Sequence, residues 1–214
     1  TLFRNYKDQQ TTIPGFLDDY ALTIEALIKL FETTSKLSYI ETAEQLTEVA
    51  FNQFFNYKNK MFAYKSHYDT PLVNETFEIY DNVISSSNSV MANNLFKLGK
   101  ILNRDKYIEQ AKQMLANVQE QLFNSPTGCA NWIQLYLNFS YPFKEVVIIG
   151  ENALEFSKQI QPYYVPNAVF VTSETENLDI TQNRLQVGKT SIHICENYTC
   201  QLPLYSIAEA LKTI

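Results

Sequence analysis

The chain has 214 residues, a formal charge of −6, 14 Tyr and 14 Phe, but only 5 Gly. That length buries a real core as one large domain or two small ones. Basic residues come singly, which argues against a nucleic-acid surface, and no run approaches the roughly 18 apolar residues of a membrane span.

Residues 1–15 are polar and aperiodic and end in Pro14-Gly15, so they read as an irregular tail. Leu17, Tyr20, Ala21, Ile24, Leu27, Ile28 and Phe31 then recur at helical spacing, with Asp18 or Asp19 placed to cap the first turn. Ser38 and Glu41 predict a capping box for a second helix along Tyr39, Ala43, Leu46, Ala50 and Phe54. After Asn59-Lys60 the run MFAYKS alternates, the mark of a short hairpin, and residues 70–89 read as loop. A second pair of helices follows, first along Val90, Met91, Leu95, Leu98 and Leu102, then along Tyr107, Ala111, Met114, Val118 and Leu122. Pro126 opens a fifth helix with Cys129, Trp132, Ile133 and Tyr136 at helical spacing.

One offset of 68 residues carries Leu27 onto Leu95, Leu30 onto Leu98, Tyr39 onto Tyr107, Ala43 onto Ala111 and Leu46 onto Met114. Self-similarity at a fixed period implies stacked units that bury their apolar faces on one another. The fold class expected is therefore mainly α. It is an incomplete (α/α) toroid of helical hairpins over residues 1–141, with repeats near 16–54 and 86–122 and an extra helix at 126–139. The unpartnered fifth helix implies a piece of a longer ring whose other helices precede Thr1. After Pro142 the composition turns β-branched. EVVII (145–149), AVFV (168–171) and KTSIHIC (189–195) read as strands of a small α/β lobe of about three strands over 142–214. A crossover helix at 152–160 makes the first two parallel, and a last helix begins with a Ser206/Glu209 capping box.

In a ring of antiparallel hairpins all first helices run the same way, so their N-terminal ends gather on one rim. That rim collects Asp18, Asp19, Tyr20, Tyr64, His67, Asp81, Asn88 and Ser89. Carboxylates, amides, aromatic faces and helix N-termini together suit a small polar or sugar-like ligand. Each residue also has a plainer reading: Asp18 and Asp19 as caps, Asp81 as an Asx-type loop organiser, Asn88 and Ser89 as first-turn stabilisers, His67 as a hairpin residue, and Tyr64 as core. Three cysteines are an odd number, against a disulfide framework, and two distant histidines give no metal-ligand spacing, so no metal and no cofactor is expected. Cys195 and Cys200 are spaced C-x4-C at a strand end. A disulfide needs the loop to fold back, and two buried thiols are the preferred reading. A thiol lowered in pKa is not expected, because the adjacent Glu196 has the wrong sign.

GFLDDYA, Asp81-Asn82 leading to SSNSV, EVVIIG, PNAVFV and ICENYTCQLP, in that order, resemble the C-terminal part of the thioredoxin-domain-containing proteins of the YyaL and spermatogenesis-associated type. The resemblance implies an (α/α)6 toroid similar to the N-acylglucosamine 2-epimerase and six-hairpin glycosidase folds, following a thioredoxin-like domain that is absent here. Asn88, Ser89, Val90, Asp18, Asp19 and Tyr20 match the family's motifs, whereas Ser85 and Ser87 stand where the family has Pro and Gly. Epimerase-type histidines have no counterpart. Three functions remain open: an enzyme acting on a carbohydrate-like molecule, a binding or scaffold module partnering the thioredoxin-like domain in the N-terminal remainder, and a structural domain with a vestigial pocket. A cytoplasmic setting is expected, with neither nucleic acid nor membrane as partner.

Overall fold

A computed structural model describes residues 1–69, 75–197 and 199–214. Residues 70–74 of the expected 70–89 loop therefore lie outside the described residues.

Helices α1 (Leu17–Thr34) and α2 (Leu37–Phe54) form one antiparallel pair, and α3 (Ser87–Leu102) with α4 (Asp105–Asn117) forms the next; α1 and α3 pack on each other. The two pairs turn in the same way. Ser35 (φ 60°) ends α1 and Asn103 (φ 56°) ends α3, each left-handed, and the two positions are related by the same 68-residue offset. In each, the cap N–H returns to a carbonyl four residues back, Phe31 or Gly99, which stops the helix and reverses the chain. Gly99 is also required by packing, since a Cβ there would lie 2.5 Å from Ile108 Cγ1. The amide of Asn94 in α3 donates to the Ala21 carbonyl of α1 at 2.7 Å, a buried tie between the two inner helices. A short helix α5 (Gln119–Asn124) and a 3-10 turn (Pro126–Cys129) lead to α6 (Ala130–Ser140), which packs on α3 and α4.

Several local expectations need correction. Residues 1–15 are a folded strap, bridged antiparallel at Phe3–Pro14 and Lys7–Gln10. Its turn uses left-handed Asp8 and Asn5 holds it shut, the side-chain carbonyl accepting the Thr12 and Ile13 amides at 3.1 and 2.8 Å. Helix α1 begins one residue after Phe16, and Asp19 serves it from the third position by accepting the Phe16 N–H at 2.8 Å. The Ser38/Glu41 box does not form, because α2 starts at Leu37, and Ser206 makes no side-chain cap for the last helix α8 (Ile207–Thr213). The helix read through Leu122 breaks at Val118, whose N–H returns to Leu115 in a tightened turn.

The hairpin at Asn59-Lys60 is present as β1 (Phe55–Asn56) paired with β2 (Met61–Phe62). The C-terminal sheet holds four strands rather than three: β3 (Lys144–Ile149), β4 (Ala168–Ser173), β5 (Ser191–Glu196) and β6 (Thr199–Cys200), in the order β4-β3-β5-β6. β3 and β4 run parallel through the crossover helix α7 (Ala153–Ile160); β5 and β6 are antiparallel to their neighbours. The extra strand arises because the chain reverses at left-handed Asn197. Side chains alternate as strand geometry requires. Val146, Ile148, Ile192 and Ile194 form a core with α7 and α8, while Val147, Val169 and Val171 join the apolar interior of the helices. The molecule is thus mainly helical with a small four-stranded sheet, one face of which closes the helical core.

Candidate functional site

Strand β2 and the residues after it join the starts of the two inner helices. The Tyr64 carbonyl accepts the Leu17 N–H at 3.0 Å, and the Tyr64 hydroxyl lies 3.3 Å from Asp18 Oδ2. Two residues earlier, Phe62 exchanges both backbone groups with the Asn88 amide: its N–H donates to Oδ1 at 2.9 Å and its carbonyl accepts from Nδ2 at 2.8 Å. Asn88 is fully buried. It clamps a strand that would otherwise leave a donor and an acceptor unpaired inside the protein.

Asp81 occupies the second loop. Oδ1 accepts the Ser86 N–H at 2.9 Å and the Ser89 hydroxyl at 3.2 Å, and Oδ2 accepts the Asn131 N–H at the start of α6 at 2.9 Å. The Asn131 amide in turn donates to Ser89 Oγ at 2.9 Å. Ser86 caps α3 by accepting the Ser89 N–H, and both its hydroxyl and the Trp132 indole donate to the Ile79 carbonyl. One carboxylate therefore fixes a loop and two helix starts. Ser86 is recoverable from sequence as a cap three residues before Ser89; Asn131 is not, because it arrives from 50 residues away.

Asp18 and Asp19 grip Arg4 of the strap, with Nη2 2.5 Å from Asp18 Oδ2 and Nε 2.6 Å from Asp19 Oδ2. The guanidinium also sits 4.5 Å from the Phe16 ring centroid. The Tyr64 phenol is held above its ordinary pKa by burial and by Asp18. Tyr20 is wholly buried, and its hydroxyl accepts the Leu2 N–H at 3.0 Å. His67 lies by the outer strand of the hairpin, Nε2 at 3.3 Å from the Phe55 carbonyl and Nδ1 at 3.4 Å from Glu75. Of the eight candidate residues, bonds join Asp18 to Asp19 and to Tyr64, and Asp81 to Ser89. Asn88 connects through Phe62; His67 and Tyr20 bond to other groups.

A second polar cluster lies where α3 meets the sheet, and sequence reasoning missed it. Lys100 of α3 donates to Glu145 of β3 at 2.8 Å, and both side chains are buried. Lys100 also donates to Asn197 at 3.2 Å. In register with Glu145 and Val147 stand Cys195 and His193 of β5, and Ser191 Oγ is 3.0 Å from His193 Nε2. Burial, then the neighbouring Arg184 cation, holds the His193 imidazole below its ordinary pKa. A cavity of about 270 Å³ opens here, lined by Phe96, Lys100, Asn138, Phe143, Glu196 and Asn197 among others.

Cys195 and Cys200 form a disulfide, correcting the reading as two buried thiols. They face each other directly across β5 and β6, with Cα atoms 3.9 Å apart. The local sequence offered no cation, but the fold brings the Arg184 guanidinium to 2.9 Å from Cys195 Sγ. Cys129 is a buried free thiol, its pKa pushed up by burial and by Asp81. Among the described residues, no group of three or more His, Cys, Asp or Glu is arranged to hold a metal, and no helix is long and apolar enough to cross a membrane.

No family model matches the chain. It is similar to spermatogenesis-associated protein 20 of Rattus norvegicus, 22% identical over 213 residues covering 94% of this chain and 27% of that protein. The human protein of that name is 21% identical over the same extent. Uncharacterized protein B0495.5 of Caenorhabditis elegans is 23% identical over 207 residues, 92% of this chain and 28% of that protein. The likeness is distant but nearly complete in coverage, which supports a relation to the spermatogenesis-associated proteins. The chain spans little more than a quarter of these relatives' length.

Proposed function

We propose that this chain is a binding or scaffold module, two hairpins and an extra helix of an α/α toroid, that partners the remainder of a longer protein with a thioredoxin-like domain. One observation carries this reading: the polar groups of the rim bond chiefly to the protein itself. Asp81 accepts three protein donors, and both polar atoms of Asn88 are bonded to Phe62. A general acid or base needs a proton-accepting position aimed at a substrate; carboxylates committed to loop and helix-start donors serve positioning instead. The offset shared by the left-handed caps Ser35 and Asn103 supports the toroid-type repeat.

A second reading, a small polar or sugar-like ligand at the rim, draws on Asp18, Asp19 and Tyr64, which share a partly open corner with Arg4. A thermal-shift screen of the chain against sugars and phosphosugars separates the two. The scaffold reading expects no sugar to raise Tm by more than about 1 °C at millimolar concentration. A sugar that raises Tm by several degrees in the wild type but not in Asp18→Asn overturns it and establishes the ligand reading.

A further inference from the structure

The Cys195–Cys200 bond is asymmetric in a way the helical frame does not require. Cys195 lies in β5 and is 1% exposed, whereas Cys200 is exposed on a two-residue strand at the sheet edge. A groove of about 420 Å³ runs along the bond, with Lys144 and Gln201 in its wall. The half-buried Arg184 donates to the sulfur of the buried partner.

We infer that Cys195–Cys200 is a thiol–disulfide exchange site at which a dithiol reductant attacks Cys200 and Cys195 is the leaving sulfur. The choice of sulfur follows from access and from leaving-group stability. Only Cys200 is exposed to an incoming thiolate. Exchange is faster when the departing sulfur has the lower thiol pKa, and a hydrogen-bonding guanidinium stabilises the thiolate. Lys144 in the groove wall favours approach of an anion, against Glu196 beside it.

The step balances. The reductant's thiolate bonds to Cys200 Sγ as the Cys195–Cys200 bond breaks, and the electron pair stays on Cys195 Sγ beside Arg184. The reductant's second thiol loses its proton and attacks its own sulfur in the mixed disulfide. Cys200 is released as a thiolate, and the two cysteines take up the two protons the dithiol gave. The dithiol leaves as a disulfide, two electrons poorer.

Reduction has a structural consequence. The turn between β5 and β6 carries Asn197, which accepts from Lys100 at the junction. With the bond cut, the turn is held by non-covalent contacts: the two-residue register of β5 with β6, the Gln201 N–H to the Ile194 carbonyl at 3.1 Å, and Lys100 on Asn197. The sheet edge then loosens, and the wall that Glu196 and Asn197 give the cavity beside Lys100 shifts with it.

The test uses the whole chain, oxidised, in native buffer. Dithiothreitol is titrated in, and thiols are counted by maleimide labelling and mass spectrometry. Cys195 and Cys200 become reactive while buried Cys129 stays protected, and among the described residues amide hydrogen exchange accelerates at 196, 197 and 199–201 only. In Arg184→Gln the dithiothreitol needed for half reduction rises about tenfold, and Arg184→Lys recovers part of it. When the reaction with the monothiol glutathione is quenched with acid and free thiols are alkylated after unfolding, the mixed disulfide carries glutathione on Cys200 and the alkyl label on Cys195. Reduction that requires denaturant and exposes Cys129 together with the pair overturns the inference. So does an adduct mapped to Cys195, or an Arg184→Gln chain that folds and reduces as readily as wild type.

Discussion

Replacing Asn88 with alanine tests whether the rim is a clamp. The side chain is fully buried and satisfies both the N–H and the carbonyl of Phe62. Truncation leaves both backbone groups unpaired in the interior. A buried donor or acceptor without a partner costs roughly 1–3 kcal/mol, so the pair together costs on the order of 2–5 kcal/mol. For a chain of this size about 1 kcal/mol lowers Tm by roughly 2–4 °C, and the expected fall is therefore about 4–20 °C. Asn88→Asp keeps the acceptor, loses the donor and buries a charge, and should be no better. Urea unfolding followed by circular dichroism measures the change, and exchange at the Phe62 amide should accelerate toward the global rate. A variant within about 0.5 kcal/mol of wild type, with the Phe62 amide still protected, refutes the clamp and returns Asn88 to the pool of ligand-facing residues.

The Lys100–Glu145 pair gives a contrast between single and double changes. Lys100→Met alone removes the 2.8 Å ion-pair partner of the buried Glu145 carboxylate and is expected to cost about 3–5 kcal/mol, whereas Lys100→Met with Glu145→Leu recovers much of it; a double-mutant cycle in urea reads the difference. His193 fixes a pH dependence. Its folded-state pKa is depressed, so the folded protein prefers the neutral ring; stability is intact above the unfolded value of about 6.5 and declines as pH falls from there toward the lower folded pKa. The urea midpoint should drop between pH 7.5 and pH 5, and His193→Gln should flatten that slope.

The parts of the fold legible in the sequence are those set by period. Leu27 and Leu95, Tyr39 and Tyr107, Ala43 and Ala111 mark the hairpins because both pairs carry an apolar stripe at helical spacing, and the left-handed caps Ser35 and Asn103 fall at the same offset. The C-terminal strands were legible from a different signal, their β-branched and nearly continuous apolar runs. The strap at 1–15 was not, since Asn5 and a turn without glycine hold it through side-chain-to-backbone bonds that leave no apolar pattern. Arg184 beside Cys195 and Asn131 beside Asp81 were beyond local reading, because each partner comes from a different element. The residue types at the rim were readable, but their orientation was not. Whether Asn88 turns to a ligand or to Phe62 depends on where β2 lands.

The two polar clusters differ in how firmly the chain holds them, and that decides where chemistry is expected. At the rim, one carboxylate ties residues 79–89 to the starts of α3 and α6, and one amide ties α3 to β2, so moving any member breaks several buried bonds at once. Such networks rigidify. At the sheet edge the opposite holds. β6 pairs through two residues, its one cysteine is exposed, and the covalent bond to β5 restrains the turn that reaches Lys100. Segments with few buried contacts are the ones that open at low free energy. A change of state in this molecule should therefore begin at the edge where β6 pairs with β5 and stop at the buried Lys100–Glu145 pair, leaving the Asp81 and Asn88 networks as the fixed frame against which it moves.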